Sequence, residues 1–164
     1  FFEAAEAVND FTEPVIGLAR RVSVVSARES FFVEIDAVSE RREKTIMKNF
    51  IEKSTTYAEY IKLIDDLLLD GKTTGPNQSE AMFNYGKLNR QRMHRLEKTI
   101  VLNDSLKEKA QRLERKMVWL IITEGWCGDA AQNIPVIEKI AAENPENIET
   151  RYVLRDENLE LMDR

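Results

Sequence analysis

The chain has one cysteine and one histidine in 164 residues. A single cysteine excludes an intrachain disulfide framework and a cysteine-based zinc site, and it suits a reducing compartment. A single histidine excludes a His-clustered metal centre. Long apolar runs are missing as well. The stretch around Val118 to Ile122 is far shorter than the roughly 20 residues a membrane-crossing helix needs. The first residues lack a basic segment followed by a long apolar one, so they do not read as a signal peptide. A cytoplasmic protein without bound metal or cofactor is the expectation.

What is present suits one ordinary domain, or a small domain carrying an extension. Hydrophobic residues make up 43% of the chain and charged residues 32%, enough for a packed core. The net charge of −5 hides a split. Residues 1–46 carry 6 basic and 9 acidic groups, residues 47–117 carry 14 and 10, and residues 118–164 carry 4 and 10. An acidic C-terminal third disfavours nucleic acid there, because phosphate binding needs clustered Lys and Arg. Neither nucleic acid nor membrane is an expected partner.

None of the five methionines lies in the first 46 residues, and Met47 opens a helical pattern as a native start would. Two readings of residues 1–46 stand side by side. They are an extension, or translated sequence foreign to the domain; or they are a helical or hairpin arm, with Val22 to Val25 and Phe31 to Ile35 as strands. No function is assigned to them.

Residues 47–99 read as a helical region. Thr56 and Glu59 have capping-box spacing, Tyr57, Tyr60, Ile61, Ile64, Leu67 and Leu68 recur at helical intervals, and Gly71 stands where that helix should stop. Asn77, with Glu80 three residues on, starts a second helix carrying Met82, Tyr85, Met93 and Leu96. Asn103 starts a third, with Leu106, Ala110, Leu113 and Met117 on its apolar face, and Ile100 to Leu102 is a candidate short strand between the two. Gly71-Lys72-Thr73 imitates the end of a phosphate loop, but Asp66 replaces the first glycine and a helix precedes it. The basic run from Lys87 to Lys116 reads as a solvated helical face, and His94 as a surface residue.

Chemistry concentrates farther on. Val118 to Thr123 is an apolar run suited to a strand buried on both faces. It leads through Glu124-Gly125-Trp126-Cys127-Gly128-Asp129-Ala130 into a helix carrying Ile134, Val136, Ile137, Ile140 and Ala141, which Asn144-Pro145 ends. Ile148 to Leu154 is a second strand, and Asp156 is placed to cap a further helix. The pattern is α/β, with a crossover helix between parallel strands. Cys127 therefore sits between a buried strand and a helix N-terminus, where free N–H groups and the helix dipole favour a thiolate. Asp129 opposes this as a neighbouring negative charge, and Glu124 is a second modulating acid. Gly128 permits close backbone approach, and Trp126 offers a wall for substrate.

At these residues the chain resembles the thioredoxin family. The shared features are the apolar strand, Trp126-Cys127-Gly128, a helix-kinking Pro135 eight residues after the cysteine, and a following strand that ends in Arg155-Asp156-Glu157-Asn158. The likeness is closest to bacterial thioredoxin-like proteins with a Trp-Cys-Gly-Asp-Ala-Ala-Gln motif and a helical N-terminal region, and it runs from about Met47 to Arg164. It implies a partial thioredoxin-like fold over 100–164, preceded by the helical region. It also implies that Cys127 is the reactive thiol, with Trp126 and Gly128 at the substrate surface. Departures shape the function. Ala130 stands where the family has a second cysteine, and Ile121 where it has a buried carboxylate. The family's cis-proline, last two strands and last helix would fall beyond Arg164, which implies a chain that continues and leaves Val118 to Thr123 with a bare edge. Two functions follow. One is a monothiol redox protein whose Cys127 forms mixed disulfides with protein or low-molecular-weight thiols, resolved by an external thiol. The other is a binding or scaffold module that kept the fold and lost turnover.

Overall fold

The computed structural model describes residues 22–25 and 39–162, so the candidate strand Phe31 to Ile35 lies outside the described residues. In chain order the elements are β1 (Val22–Val25), α1 (Ser39–Lys53), α2 (Tyr57–Leu69), α3 (Glu80–Thr99), α4 (Asp104–Gln111), β2 (Met117–Thr123), α5 (Gly128–Ala141) and β3 (Ile148–Leu154), then a short 3₁₀ turn, Leu159–Leu161. The strands form one parallel sheet in the order β1-β2-β3. Met117 pairs with Ile148 at one end of the β2–β3 ladder and Thr123 with Leu154 at the other. Parallel neighbours need a crossover, and α5 supplies it.

Alternation along the strands sorts the core into two layers. Ile121 and its ladder partner Tyr152 face Tyr60 and Ile64 of α2, Met93 of α3, and Ala130, Ala131 and Ile134 of α5. Leu120, Ile122 and Val153 face the other way, onto Phe50 of α1 and Leu161. Both faces of β2 are thus covered, which is why its sequence is a continuous apolar run rather than an alternating one. Tyr60 and Tyr152 stack with ring centroids 5.2 Å apart and planes 9° from parallel. Beyond β3, Thr55 exchanges two backbone hydrogen bonds with Tyr152, at 2.9 and 2.8 Å.

Local signals hold at several ends. The hydroxyl of Thr56 accepts from Glu59 N–H, and the Glu59 carboxylate accepts from Thr56 N–H at 2.8 Å, so the capping box forms. At the end of α2, Gly71 takes φ +72° and Lys72 N–H reaches back to the Leu67 carbonyl at 2.8 Å, a closure that favours glycine. Asn103 caps α4 by accepting from Leu106 N–H at 2.8 Å.

Other expectations are corrected. Ser79, not Asn77, caps α3; Asn77 accepts from Ser79 N–H and shapes the turn before the cap. The inner stripe of α3 is Gly86, Asn89 and Met93, while Tyr85 is exposed. Ile100 to Leu102 forms no strand: Ile100 closes α3 by donating to the Leu96 carbonyl, and Val101 is exposed. The third helix stops at Gln111 and leaves Leu113 and Met117 outside it, because the side-chain amides of Asn144 and Asn147 take the Leu113 carbonyl at 2.8 and 2.9 Å. Val118 to Ile121 is not a bare edge, since β1 pairs with it in parallel. Asp156 caps no helix. The next turn starts after Asn158, and the Asp156 side chain accepts from Arg155 instead.

Candidate functional site

The end of β2 turns sharply into α5. Cys127 N–H donates to the Glu124 carbonyl at 3.0 Å, closing a four-residue turn, and Cys127 is the N-cap of α5. Its thiol makes no capping hydrogen bond and is half-buried against the layer that holds Tyr60, Met93 and Ile134. The sulfur is therefore not used up by the helix it begins. Gly128 is half-buried; a Cβ there would lie 3.7 Å from a guanidinium nitrogen of Arg92. Asp129 is exposed in the first helical turn. Pro135 lies inside α5 and is buried. It removes one helical N–H donor.

Trp126 is held by two contacts. The Arg155 guanidinium stacks 4.9 Å from its ring centroid. Gly75, at φ +79°, comes so close that a Cβ would lie 3.3 Å from the indole nitrogen and 2.5 Å from an Asp156 oxygen. The positive φ and the close approach both favour glycine at that position. Gln78 pins the loop carrying Gly75 by pairing with Thr73 N–H and with the Thr73 and Gly75 carbonyls.

Beneath the turn lies a buried polar layer. Gly125 N–H donates to the Thr74 hydroxyl at 2.8 Å, and the Asn89 amide donates to the Gly125 carbonyl at 3.3 Å. Asn89 in turn accepts from Arg92 at 3.1 Å. Tyr60 and Thr123 share a hydroxyl hydrogen bond of 3.0 Å. The Glu124 side chain is 2% exposed, accepts from Asp156 N–H at 2.9 Å, and keeps its second oxygen buried without a partner. Burial pushes its carboxyl up from the ordinary range, while the hydrogen bond from Asp156 N–H acts in the opposite direction.

The structure thus brings Glu124, Trp126, Cys127 and Gly128 together, with Asp129 at the rim and Pro135 one helical stretch away. Ala130 and Ile121, at the positions of the family's second cysteine and buried acid, are both buried in the apolar layer. Thr74, Asn89 and Arg92 were missed from sequence. Gly75-Pro76 marked a turn, but nothing local shows what that turn packs against. Among the described residues no group of three or more His, Cys, Asp or Glu side chains is placed to hold a metal, and no helix is long and apolar enough to cross a membrane.

A family model described as thioredoxin matches residues 75–164. No curated protein and no solved structure matches the chain. The matched span takes in Gly75 and Asn89 as well as the strand, turn and helix around Cys127, so the loop and α3 that wall the site lie within it. The chain belongs to the thioredoxin family.

Proposed function

We propose that this chain is a monothiol redox protein working through Cys127. The observation that carries the reading is a half-buried thiol at the start of α5, unused in capping, beside a clamped tryptophan. The Cys127 thiolate attacks one sulfur of a disulfide R–S–S–R′; a Cys127–S–S–R bond forms and R′–S⁻ leaves, to be protonated by solvent. No second cysteine exists in the chain to displace R. An external thiolate, from a protein or a low-molecular-weight thiol, then attacks the mixed disulfide, takes R into a new disulfide and restores Cys127. Such a cycle suits a reducing compartment such as the cytoplasm.

Incubation with glutathione disulfide, followed by intact mass measurement, tests this. One glutathione adduct is expected on the wild type, none on Cys127→Ser, and loss of the adduct on adding dithiothreitol. Insulin reduction by the wild type should stall, while Ala130→Cys should gain turnover. A folded protein that forms no adduct where free cysteine reacts would instead be a binding module.

A further inference from the structure

Arg92 on α3 carries a charge that the disulfide exchange above does not use. One of its guanidinium nitrogens donates to the Asn89 side-chain oxygen at 3.1 Å, and the Asn89 amide donates in turn to the Gly125 carbonyl at 3.3 Å. Asn89 is 1% exposed, so the guanidinium is tied to a fixed partner. The same nitrogen lies 3.7 Å from where a Cβ on Gly128 would stand. Gly128 directly follows Cys127, and covalent geometry therefore keeps this nitrogen within about 9 Å of the Cys127 Cα. Arg90, Arg112, Arg151 and Arg155 each pair with a carboxylate. Among the described residues Arg92, Arg95 and Arg115 pair with none; Arg95 and Arg115 are exposed, whereas Arg92 is half-buried.

We propose that Arg92 is a substrate-binding residue that selects disulfides carrying a carboxylate close to the sulfur that Cys127 attacks. A half-buried cation has lost part of its hydration with no counter-ion in exchange, and a carboxylate arriving with the disulfide supplies one. Asn89 engages one nitrogen and leaves further N–H donors of the planar guanidinium for that carboxylate. At the same edge α5 starts without a side-chain cap, so the positive end of its dipole adds to Arg92. Asp129, exposed in the first turn, opposes an anion there. The net charge of −5 opposes it too, so a preference for anions has to come from charge at the site itself. The bonds made and broken are those of the exchange above; Arg92 takes part in none of them and decides which partner is held. This inference rests on Cys127 being the reactive thiol.

The test compares mixed-disulfide formation at Cys127 with dithiodipropionate, hydroxyethyl disulfide and cystamine, which carry negative, no and positive charge. Each rate is divided by that of N-acetylcysteinamide with the same reagent, which removes intrinsic reactivity. The wild type should favour the anion over the neutral reagent about fivefold, Arg92→Lys should keep part of that preference, and Arg92→Glu should reverse the order. Any change in the thiolate fraction of Cys127 cancels from these ratios, because all three reagents meet the same thiol. Equal ratios in the wild type and Arg92→Glu would overturn the proposal. Should the variant fail to fold, the wild type alone decides: its preference for the anion should shrink from low to high salt, and no preference at low salt overturns the proposal. Mixed disulfides of two cysteine peptides, with aspartate or asparagine beside the cysteine, separate the sources of the carboxylate. Faster reaction of the aspartate peptide assigns it to proteins, and a preference confined to the small reagents assigns it to low-molecular-weight thiols. A chain that forms no adduct with any reagent defeats the monothiol function and this inference with it. One that forms all three adducts without charge preference defeats this inference alone.

Discussion

Cys127 and Glu124 occupy the two ends of one turn, yet their surroundings differ sharply. Cys127 is half-buried beside Trp126, whereas Glu124 is almost fully buried. That burial has a consequence for stability. The Glu124 carboxyl is raised in the folded protein, chiefly by desolvation, above an unfolded value of about 4.3. The folded state therefore holds the proton more tightly than the unfolded chain. Its contribution is complete below the unfolded value and is lost as pH rises through the folded one. Glu124→Gln removes this dependence while keeping an acceptor for Asp156 N–H. Urea unfolding of both proteins from pH 4 to 8 should show the wild type losing stability relative to the variant as pH rises. A difference that stays constant with pH would mean that burial does not perturb this carboxyl.

At the scale of elements, α3 holds the motif turn in place. Its buried stripe contains a glycine and an asparagine where a core helix would ordinarily present apolar side chains. Gly86 lets Thr73 approach, since a Cβ would meet the Thr73 hydroxyl at 2.7 Å. Asn89 satisfies the Gly125 carbonyl inside the protein. Asn89→Ala leaves that carbonyl buried without its partner, a loss on the order of 1–3 kcal/mol. Denaturant unfolding should show a destabilisation of that size, with faster amide exchange confined to residues 124–128. Destabilisation below about 0.5 kcal/mol would mean that water replaces the amide and that α3 does not anchor the turn. Polar residues on this face explain why periodicity located the helix but misread its buried side. Apolar spacing pointed to Tyr85, which lies in solvent.

Across the whole molecule, β2 is the central strand, with β3 on one side and β1 on the other. Side-chain cover comes from α1 on one face and from α2, α3 and α5 on the other. Backbone pairing is a separate requirement, because packing does not satisfy ladder donors and acceptors. A chain shortened to begin at Ser39 keeps α1 but loses the partner of Val118 to Ile121. Those residues then offer an apolar edge to other molecules. Sedimentation velocity should find the shortened chain self-associating at concentrations where the full chain does not. A well-behaved shortened monomer would show that β1 is dispensable to this edge.

What the amino-acid sequence determined by itself was local. The capping box at Thr56, the cap at Asn103, the glycine stop at Gly71, the strand Ile148 to Leu154 and the place of Cys127 before a helix all depend on residues a few positions apart. Such contacts are written in spacing. The family likeness was also legible, because Trp126-Cys127-Gly128 and Pro135 lie in one short segment. The company that Cys127 keeps was decided elsewhere. Thr74 is 51 positions from the Gly125 amide it accepts, Asn89 is 36 from the carbonyl it serves, and Asp156 is 32 from the carboxyl it holds. Those partners meet only after β3 has registered beside β2 and α3 has docked against α5. Burial of Glu124 follows from the same events: a glutamate after a strand looks like a surface residue until the loop at Thr74 and the turn at Asp156 close over it and exclude water.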